Sequence, residues 1–208
     1  RIVCYVVGVA VMEALGLGLI LGAVASVTML VGSFFAIGED NLKRRLAFST
    51  ISQLSYILFG AALLSAYGVK GAMIHIPFHG FMKITLFLCA GIVMVVSGRK
   101  QISQLAGIGR RMPVTMAAFT VGAVGMCGAP PVAGFISKWY LCLGSVQAGS
   151  LVLLGVILTS SLLDVVYFFP IVKTAFFDRP DEVVGVDDAR ETACERDRPL
   201  FYFMLVPV

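Results

Sequence analysis

Long apolar runs without charge alternate with short charged clusters along most of the chain. Residues 14–38 and 46–69 contain no charged side chain, and residues 71–96 contain one lysine and two histidines. As helices rising about 1.5 Å per residue, these runs are longer than the roughly 30 Å hydrocarbon core of a bilayer. The pattern predicts three membrane-spanning helices.

The next apolar stretch, residues 112–137, is uncharged but interrupted. A straight helix does not continue through Gly-Ala-Pro-Pro, so we expect a helix break marked by Pro130, Pro131 and Gly134. Whether this is one discontinuous span or two shorter helices meeting at a buried loop stays open. Irregular backbone at membrane depth is tolerated only where it is buried in protein or lines a water-filled cavity, so the break hints at a transport path.

A last span is expected at residues 151–169, with its extension to residue 177 left open, followed by a solvated loop at 178–198. That loop carries eight acidic and four basic residues. The fold class expected is all-α: a polytopic transmembrane helical bundle with a discontinuous helix. Residues 1–208 would form one partial transmembrane domain of about five to seven membrane helices.

Composition excludes two broad classes of protein. With 59% hydrophobic and 13% charged residues, the chain is too apolar for a soluble globular domain. Its net charge of +4 is small and dispersed, and its basic residues flank apolar runs, so nucleic acid is not an expected partner. The basic residues between positions 99 and 111 favour the cytoplasmic side for that connection.

The chain begins with Arg1 and ends at Val208 inside an apolar run, so we expect a fragment of a longer protein. No secretory signal peptide is visible at its start. Its five cysteines form no C-x-x-C pair, and four lie in apolar runs where cysteine behaves as a small hydrophobe. We therefore expect no metal site and no cofactor within these residues.

Three titratable residues share one helix face within the third run. His75, His79 and Lys83 are spaced at i, i+4 and i+8, which gives a stripe about 12 Å long. Imidazole accepts a proton on one nitrogen while donating from the other, and a lysine in a poorly hydrated site exchanges protons near neutral pH. The stripe predicts a proton relay, although haem or zinc ligation by the histidines is a weaker alternative for lack of further ligands.

Two more charged residues lie far from any charged cluster. Lys138 follows the helix break, and a buried ammonium needs water, a counter-charge or neutralisation. Asp164 is a candidate counter-charge for Lys138 or Lys173, and a plain loop-proximal aspartate is an equal alternative. From spacing alone, Lys43 and the two arginines after it are typical of a membrane flank.

Three ordered motifs resemble the antiporter-like membrane subunits of respiratory complex I and of Mrp-type cation/proton antiporters. They are residues 41–56 (NLKRRLAFSTISQLSY), His75-x3-His79-x3-Lys83, and residues 128–138 (GAPPVAGFISK). The resemblance covers nearly the whole chain. The sequence around Lys138 and the Arg-Arg-Met-Pro sequence at residues 110–113 look most similar to the D-type subunit of Mrp antiporters.

This resemblance implies a larger antiporter-like bundle of about fourteen helices with inverted repeats, of which this chain is a fragment. It implies that Lys43 lies on a hydrophilic axis at mid-membrane, continued by His75, His79 and Lys83 and ended by Lys138. This replaces the interpretation of Lys43 as a flank. The chain departs from the family pattern at Asn41, Phe48 and Ser55, and Asp164 stands where asparagine is expected.

The function that follows is proton translocation along a buried lysine and histidine axis, in a protein most like the D-type subunit of an Mrp cation/proton antiporter. The alternative is a proton-pumping subunit of complex I or of a membrane-bound hydrogenase. We expect no catalytic chemistry of its own, except as a translocase component of an NADH:quinone oxidoreductase. Expected partners are other membrane subunits, the lipid bilayer and protons, with Na⁺ undecided, in a bacterial or archaeal inner membrane.

Two rival functions of other classes stay open. A quinone-binding redox subunit would need a lipid-accessible pocket containing a histidine, yet no nucleotide motif or cluster ligands accompany it. A structural membrane subunit that carries no ions predicts that neutralising Lys43, Lys83 and Lys138 together leaves the ion flux unchanged.

Overall fold

The computed structural model describes residues 11, 15–130 and 132–178. Pro131, Cys4, Cys194 and all but the first residue of the expected 178–198 loop lie outside these residues. The described part is a bundle of helices joined by short turns. The helices are α1 (Leu17–Gly38), α2 (Leu42–Ala62), α3 (Ala66–Ser97), α4 (Ile108–Arg111), α5 (Pro113–Cys127), α6 (Ala133–Gln147) and α7 (Leu151–Phe177), with a 3-10 helix at Ile102–Leu105 before α4.

Among the described helices, α1, α3 and α7 are long and apolar enough to cross a membrane. They coincide with the spans predicted at 14–38, 71–96 and 151–169, the last extended to residue 177. Helix α2 has 21 residues, a similar length, but a more polar composition. The all-α transmembrane bundle expected from the sequence is confirmed.

The predicted boundaries of the second span were wrong. The uncharged run at 46–69 contains a helix end at Ala62 and a new helix start at Ala66. Leu64 makes the turn with a positive φ of 50°. Ser65 then caps α3, because its hydroxyl accepts a hydrogen bond from Gly68 N at 3.1 Å.

The break after α5 separates two helices of 15 residues each, α5 and α6. At 1.5 Å per residue each is about 22 Å long, short of a bilayer core. Gly128 ends α5 in the left-handed conformation, with φ of 78°. Pro130 is exposed in the turn that follows, and Gly134 lies in the first turn of α6.

Helix α3 contacts α2, α5 and α6, and α7 packs on α1, α5 and α6. Glycines make the α3–α6 contact close: a Cβ on Gly71 would lie 2.9 Å from Leu141 N, and one on Gly144 would lie 2.5 Å from Gly68 N. This approach brings one face of α3 against the broken segment.

Candidate functional site: a buried polar axis

The histidine and lysine stripe of α3 faces the interior of the bundle. His75, His79 and Lys83 are 2%, 7% and 6% exposed, and the two imidazole centroids are 5.8 Å apart. The helix continues through Pro77. Because proline has no N–H, the carbonyl of Met73 has no helical partner there.

Lys83 is held by the start of α2. Its Nζ donates to the carbonyl oxygen of Leu46 at 2.9 Å and to Ser49 Oγ. The ammonium also lies 5.9 Å from the ring centroid of Phe87, one turn further along α3. The amine therefore lies among neutral oxygen acceptors and a ring.

Lys138 lies at the break between α5 and α6. Its Nζ donates to the carbonyl oxygen of Cys127, the last residue of α5, at 3.2 Å. That carbonyl belongs to a helix C-terminus, where the helix dipole favours a cation. Gly128 leaves room for the side chain, because a Cβ there would lie 2.7 Å from Lys138 Cδ.

Asp164, fully buried on α7, is the carboxylate that faces Lys138. Its Oδ2 lies 2.6 Å from Lys138 Nζ and accepts a second hydrogen bond, at 2.7 Å, from Gln53 Nε2. Its Oδ1 accepts from the hydroxyl of Tyr167 at 2.7 Å. Three donors thus stabilise the ionised carboxylate, while Lys173, the other candidate partner, is exposed.

His75 connects the stripe to the broken segment. Its Nδ1 lies 3.0 Å from Ser137 Oγ, and Ser137 Oγ donates to the carbonyl of Gly134 at 3.0 Å. A hydroxyl has one proton, so Ser137 accepts from His75 Nδ1–H, which leaves His75 Nε2 as the acceptor nitrogen. Tyr56 also bridges the two regions: its ring stacks on His75 at 5.6 Å and lies 5.1 Å from Lys138 Nζ.

We name Lys83, His79, His75, Lys138 and Asp164 the buried polar axis. Several buried polar atoms along it have no hydrogen-bond partner among the described residues: His75 Nε2, His79 Nε2, Gln53 Oε1 and Ser160 Oγ. Buried polar groups are rarely left unpaired, so these atoms suit ordered water or mobile protons. The arrangement suits proton exchange between neighbouring groups.

Lys43 is not brought together with the buried polar axis. Its side chain is exposed in the first turn of α2. Arg45, two residues later, is buried, and its guanidinium donates to the carbonyl oxygens of Ile37, Glu39 and Tyr167. Sequence reasoning grouped these two residues as one basic cluster, although they point in different directions.

Sequence reasoning also missed Gln53, Tyr56 and Tyr167 as site residues. Ser49, Gln53 and Tyr56 are spaced at i, i+4 and i+7 on α2, a polar stripe that periodicity alone could have revealed. Tyr167 is three residues after Asp164 and shares its helix face. These residues surround the ionisable groups with donors and a ring.

Within the part of the chain that the structure describes, no three His, Cys, Asp or Glu side chains form a metal-binding group. Cys89, Cys127 and Cys142 are free thiols there. The expectation of no metal and no cofactor stays a prediction.

The fold and the site define a polytopic membrane protein with ionisable groups buried among its helices. Residues 4–164 match the family described as "NADH:quinone oxidoreductase/Mrp antiporter, TM". The chain belongs to this family. The family resemblance inferred from the three motifs is confirmed.

Curated relatives carry the name NADH-quinone oxidoreductase subunit N. The protein from Desulforudis audaxviator is 41% identical over 157 residues, which cover 76% of this chain and 31% of the relative. The protein from Trichlorobacter lovleyi is 35% identical over 168 residues, 78% of this chain and 34% of the relative. The chain therefore spans about a third of the length of these relatives, and the particular similarity to the D-type Mrp protein stays a prediction.

Solved structures show the same fold. The structure of the Mrp complex from Dietzia sp. DQ12-45-1b superposes with a TM-score of 0.76 at 28% identity, covering 88% of this chain and 34% of that one. The membrane-bound sulfane sulfur reductase, an archaeal respiratory membrane complex, gives a TM-score of 0.74 at 26% identity, covering 92% and 39% of the two chains.

Proposed function

We propose that this chain is part of a membrane subunit that translocates protons along the buried polar axis. The observation that carries the proposal is the ion pair of Lys138 and Asp164 beside His75, with the α3 stripe leading from it to Lys83. Ionisable groups inside a membrane bundle are costly, and they characteristically mark ion pathways. Family membership and the names of the relatives support the same function.

In the proposed mechanism, a proton moves between Lys83 and Lys138 through His79 and His75. His75 Nε2 accepts a proton arriving from the His79 side, while Nδ1–H faces Ser137 and the broken segment. A neighbouring charge that shifts a protonation equilibrium tenfold is worth about 1.4 kcal/mol. Moderate couplings between neighbours therefore suffice to load and unload each group in turn.

Lys138 in this mechanism alternates between pairing with Asp164 and releasing its proton. The carboxylate of Asp164, 2.6 Å from the amine, favours the charged form of Lys138 by direct attraction and so offsets the cost of burying the ammonium. A proton arriving at His75 repels the ammonium of Lys138, so Lys138 releases its own proton as His75 becomes charged. A proton that reaches His75 along the axis therefore causes Lys138, at the ion pair with Asp164, to release its proton.

The partners follow from the proposed family role. We propose that the subunit assembles with other membrane subunits in a bacterial or archaeal inner membrane. The subunit N relatives favour a quinone oxidoreductase, whereas the sequence around Lys138 favours an Mrp antiporter and its D-type subunit. Purification of the complex distinguishes them: iron–sulfur or flavin subunits identify the first, and a set of small membrane proteins with Na⁺-dependent proton flux identifies the second.

The experiment that tests proton translocation uses the full-length subunit in its native complex. Inverted membrane vesicles are energised, and proton uptake is followed by quenching of a pH-sensitive acridine dye. We expect Lys83→Ala and Lys138→Ala each to abolish most proton uptake while the complex still assembles. The matched control is Lys70→Ala, an exposed lysine on α3, which should pump normally.

Wild-type pumping by both axis variants would refute the proposal and favour a structural subunit. A photoreactive quinone that labels His75 or His79 would instead favour the redox alternative.

A further inference from the structure

The ring of Tyr56 lies against two members of the buried polar axis. It is fully buried, its centroid is 5.6 Å from that of His75 with the planes 26° apart, and Lys138 Nζ lies 5.1 Å from the centroid. Both distances are within the roughly 6 Å over which a cation interacts with an aromatic face.

The contact completes the surroundings of Lys138. An ammonium has three N–H donors. Two of them have acceptors at hydrogen-bond distance, Asp164 Oδ2 at 2.6 Å and the carbonyl of Cys127 at 3.2 Å. The ring of Tyr56 is the remaining electron-rich group that the structure places beside the amine.

The ring matters here more than the hydroxyl. The Tyr56 hydroxyl lies 3.5 Å from Ser161 Oγ, a long hydrogen bond. The hydroxyl faces Ser160 and Ser161 on α7, whereas the ring contacts both titratable groups.

His75 and Lys138 can each become cationic, and both lie beside the same ring, that of Tyr56. Asp164 is the carboxylate that faces Lys138 among the described residues. The other charged or titratable neighbours of the pair are His79 and Lys83 on α3, Cys127 at the end of α5, Cys142 on α6 and Tyr167 on α7. Two positive charges against a single ring in a poorly hydrated interior repel each other strongly. The surroundings therefore accommodate one positive charge at a time.

We propose that the ring of Tyr56 stabilises, through a cation–π contact, the single positive charge that His75 and Lys138 share. This inference rests on the proposed function. Tyr56 is thus a positioning residue that makes protonation of the two groups alternate. While Lys138 is charged, the ring holds the ammonium beside Asp164. When Lys138 releases its proton, the same ring stabilises the imidazolium of His75.

The test changes the electron density of the ring and nearly preserves its size. In the full-length subunit and its complex, Tyr56→Phe is followed by 4-fluoro-, 3,5-difluoro- and 3,4,5-trifluorophenylalanine at the same position. We expect Tyr56→Phe to pump within about twofold of wild type. Across the fluorine series the rate should fall steadily, by about 3- to 30-fold in total, because fluorine withdraws the electron density that attracts a cation.

Tyr67 offers a matched control. Its exposed ring also lies near a lysine, with Lys70 Nζ 5.8 Å from its centroid, but neither belongs to the buried polar axis. The same fluorine series at position 67 should leave proton uptake unchanged.

A flat fluorine series at position 56, or loss of assembly or pumping in Tyr56→Phe, would overturn the inference. The proposed function would still stand in that case if Lys83→Ala and Lys138→Ala abolish proton uptake. If those two lysine variants pump normally, the proposed function itself fails, whatever the fluorine series shows.

Discussion

Removing one partner of the buried ion pair should destabilise the protein, and removing both charges should restore stability but not transport. In Lys138→Met, the carboxylate of Asp164 loses a partner 2.6 Å away while remaining fully buried. Breaking a buried pair from one side typically costs roughly 3–5 kcal/mol, since an uncompensated charge is left inside. A second substitution that neutralises Asp164 should recover most of the lost stability, because it removes the unpaired buried charge.

The magnitude is moderated by the donors that Asp164 keeps. Gln53 Nε2 and the Tyr167 hydroxyl remain at 2.7 Å each, and a hydrogen bond to a charged group contributes about 1.5–3 kcal/mol. We therefore expect about 3 kcal/mol of destabilisation in Lys138→Met, at the low end of that range. In the double variant Lys138→Met/Asp164→Asn the loss should shrink to about 1 kcal/mol, because no buried charge is left unpaired.

The assay compares apparent melting temperatures of the purified complex, read as loss of the intact species on size exclusion after heating. We expect wild type to have the highest melting temperature, the double variant an intermediate one and Lys138→Met the lowest. Both variants should fail to pump. Lys173→Met, an exposed lysine on the same helix as Asp164, should melt and pump like wild type. A Lys138→Met complex as stable as wild type, or no recovery in the double variant, would refute this reasoning.

Three further predictions follow from individual contacts. Lys83→Arg should lose most proton uptake, since guanidinium does not release its proton; normal uptake would remove Lys83 from the relay. Gly128→Ala should lower both melting temperature and pumping, since its Cβ would lie 2.7 Å from Lys138 Cδ at φ 78°. Gly149→Ala is the matched control, because Gly149 has a similar φ of 67° but no atom within 4 Å of an added Cβ. It should cost only the backbone strain of about 1–2 kcal/mol and should pump normally. Equal losses in Gly128→Ala and Gly149→Ala would contradict the steric argument. The role of Lys43 that the family resemblance implies stays a prediction: Lys43→Arg should impair proton uptake because guanidinium does not release its proton, and normal uptake would remove Lys43 from the route.

Periodicity and charge placement predicted the features that depend on local sequence. Long apolar runs with at most one lysine identified α1, α3 and α7, because a bilayer core demands a minimum apolar length. The spacing of His75, His79 and Lys83 placed them on one face, since helical geometry determines it. The break after α5 followed from Gly-Ala-Pro-Pro, whose backbone cannot continue a helix.

Features that depend on tertiary contact or on one unusual backbone angle could not be predicted. The turn at Leu64 lies inside an uncharged run, with only Ser65 as a capping signal. The pairing of Asp164 with Lys138 rather than Lys173 depends on how α6 and α7 pack. Lys43 and Arg45 look equivalent in sequence, yet the register of α2 exposes one and buries the other.

Infrared difference spectroscopy of the working complex can follow proton passage through the pair of Lys138 and Asp164. The complex in lipid is energised, and absorption changes in the carboxylate region are recorded for wild type, Asp164→Asn and Lys138→Met. We predict a carboxylate band in wild type that changes during turnover, as Lys138 releases and regains its proton, and that is missing in both variants. A wild-type spectrum without this band, or the same band in Asp164→Asn, would contradict proton passage through the buried pair.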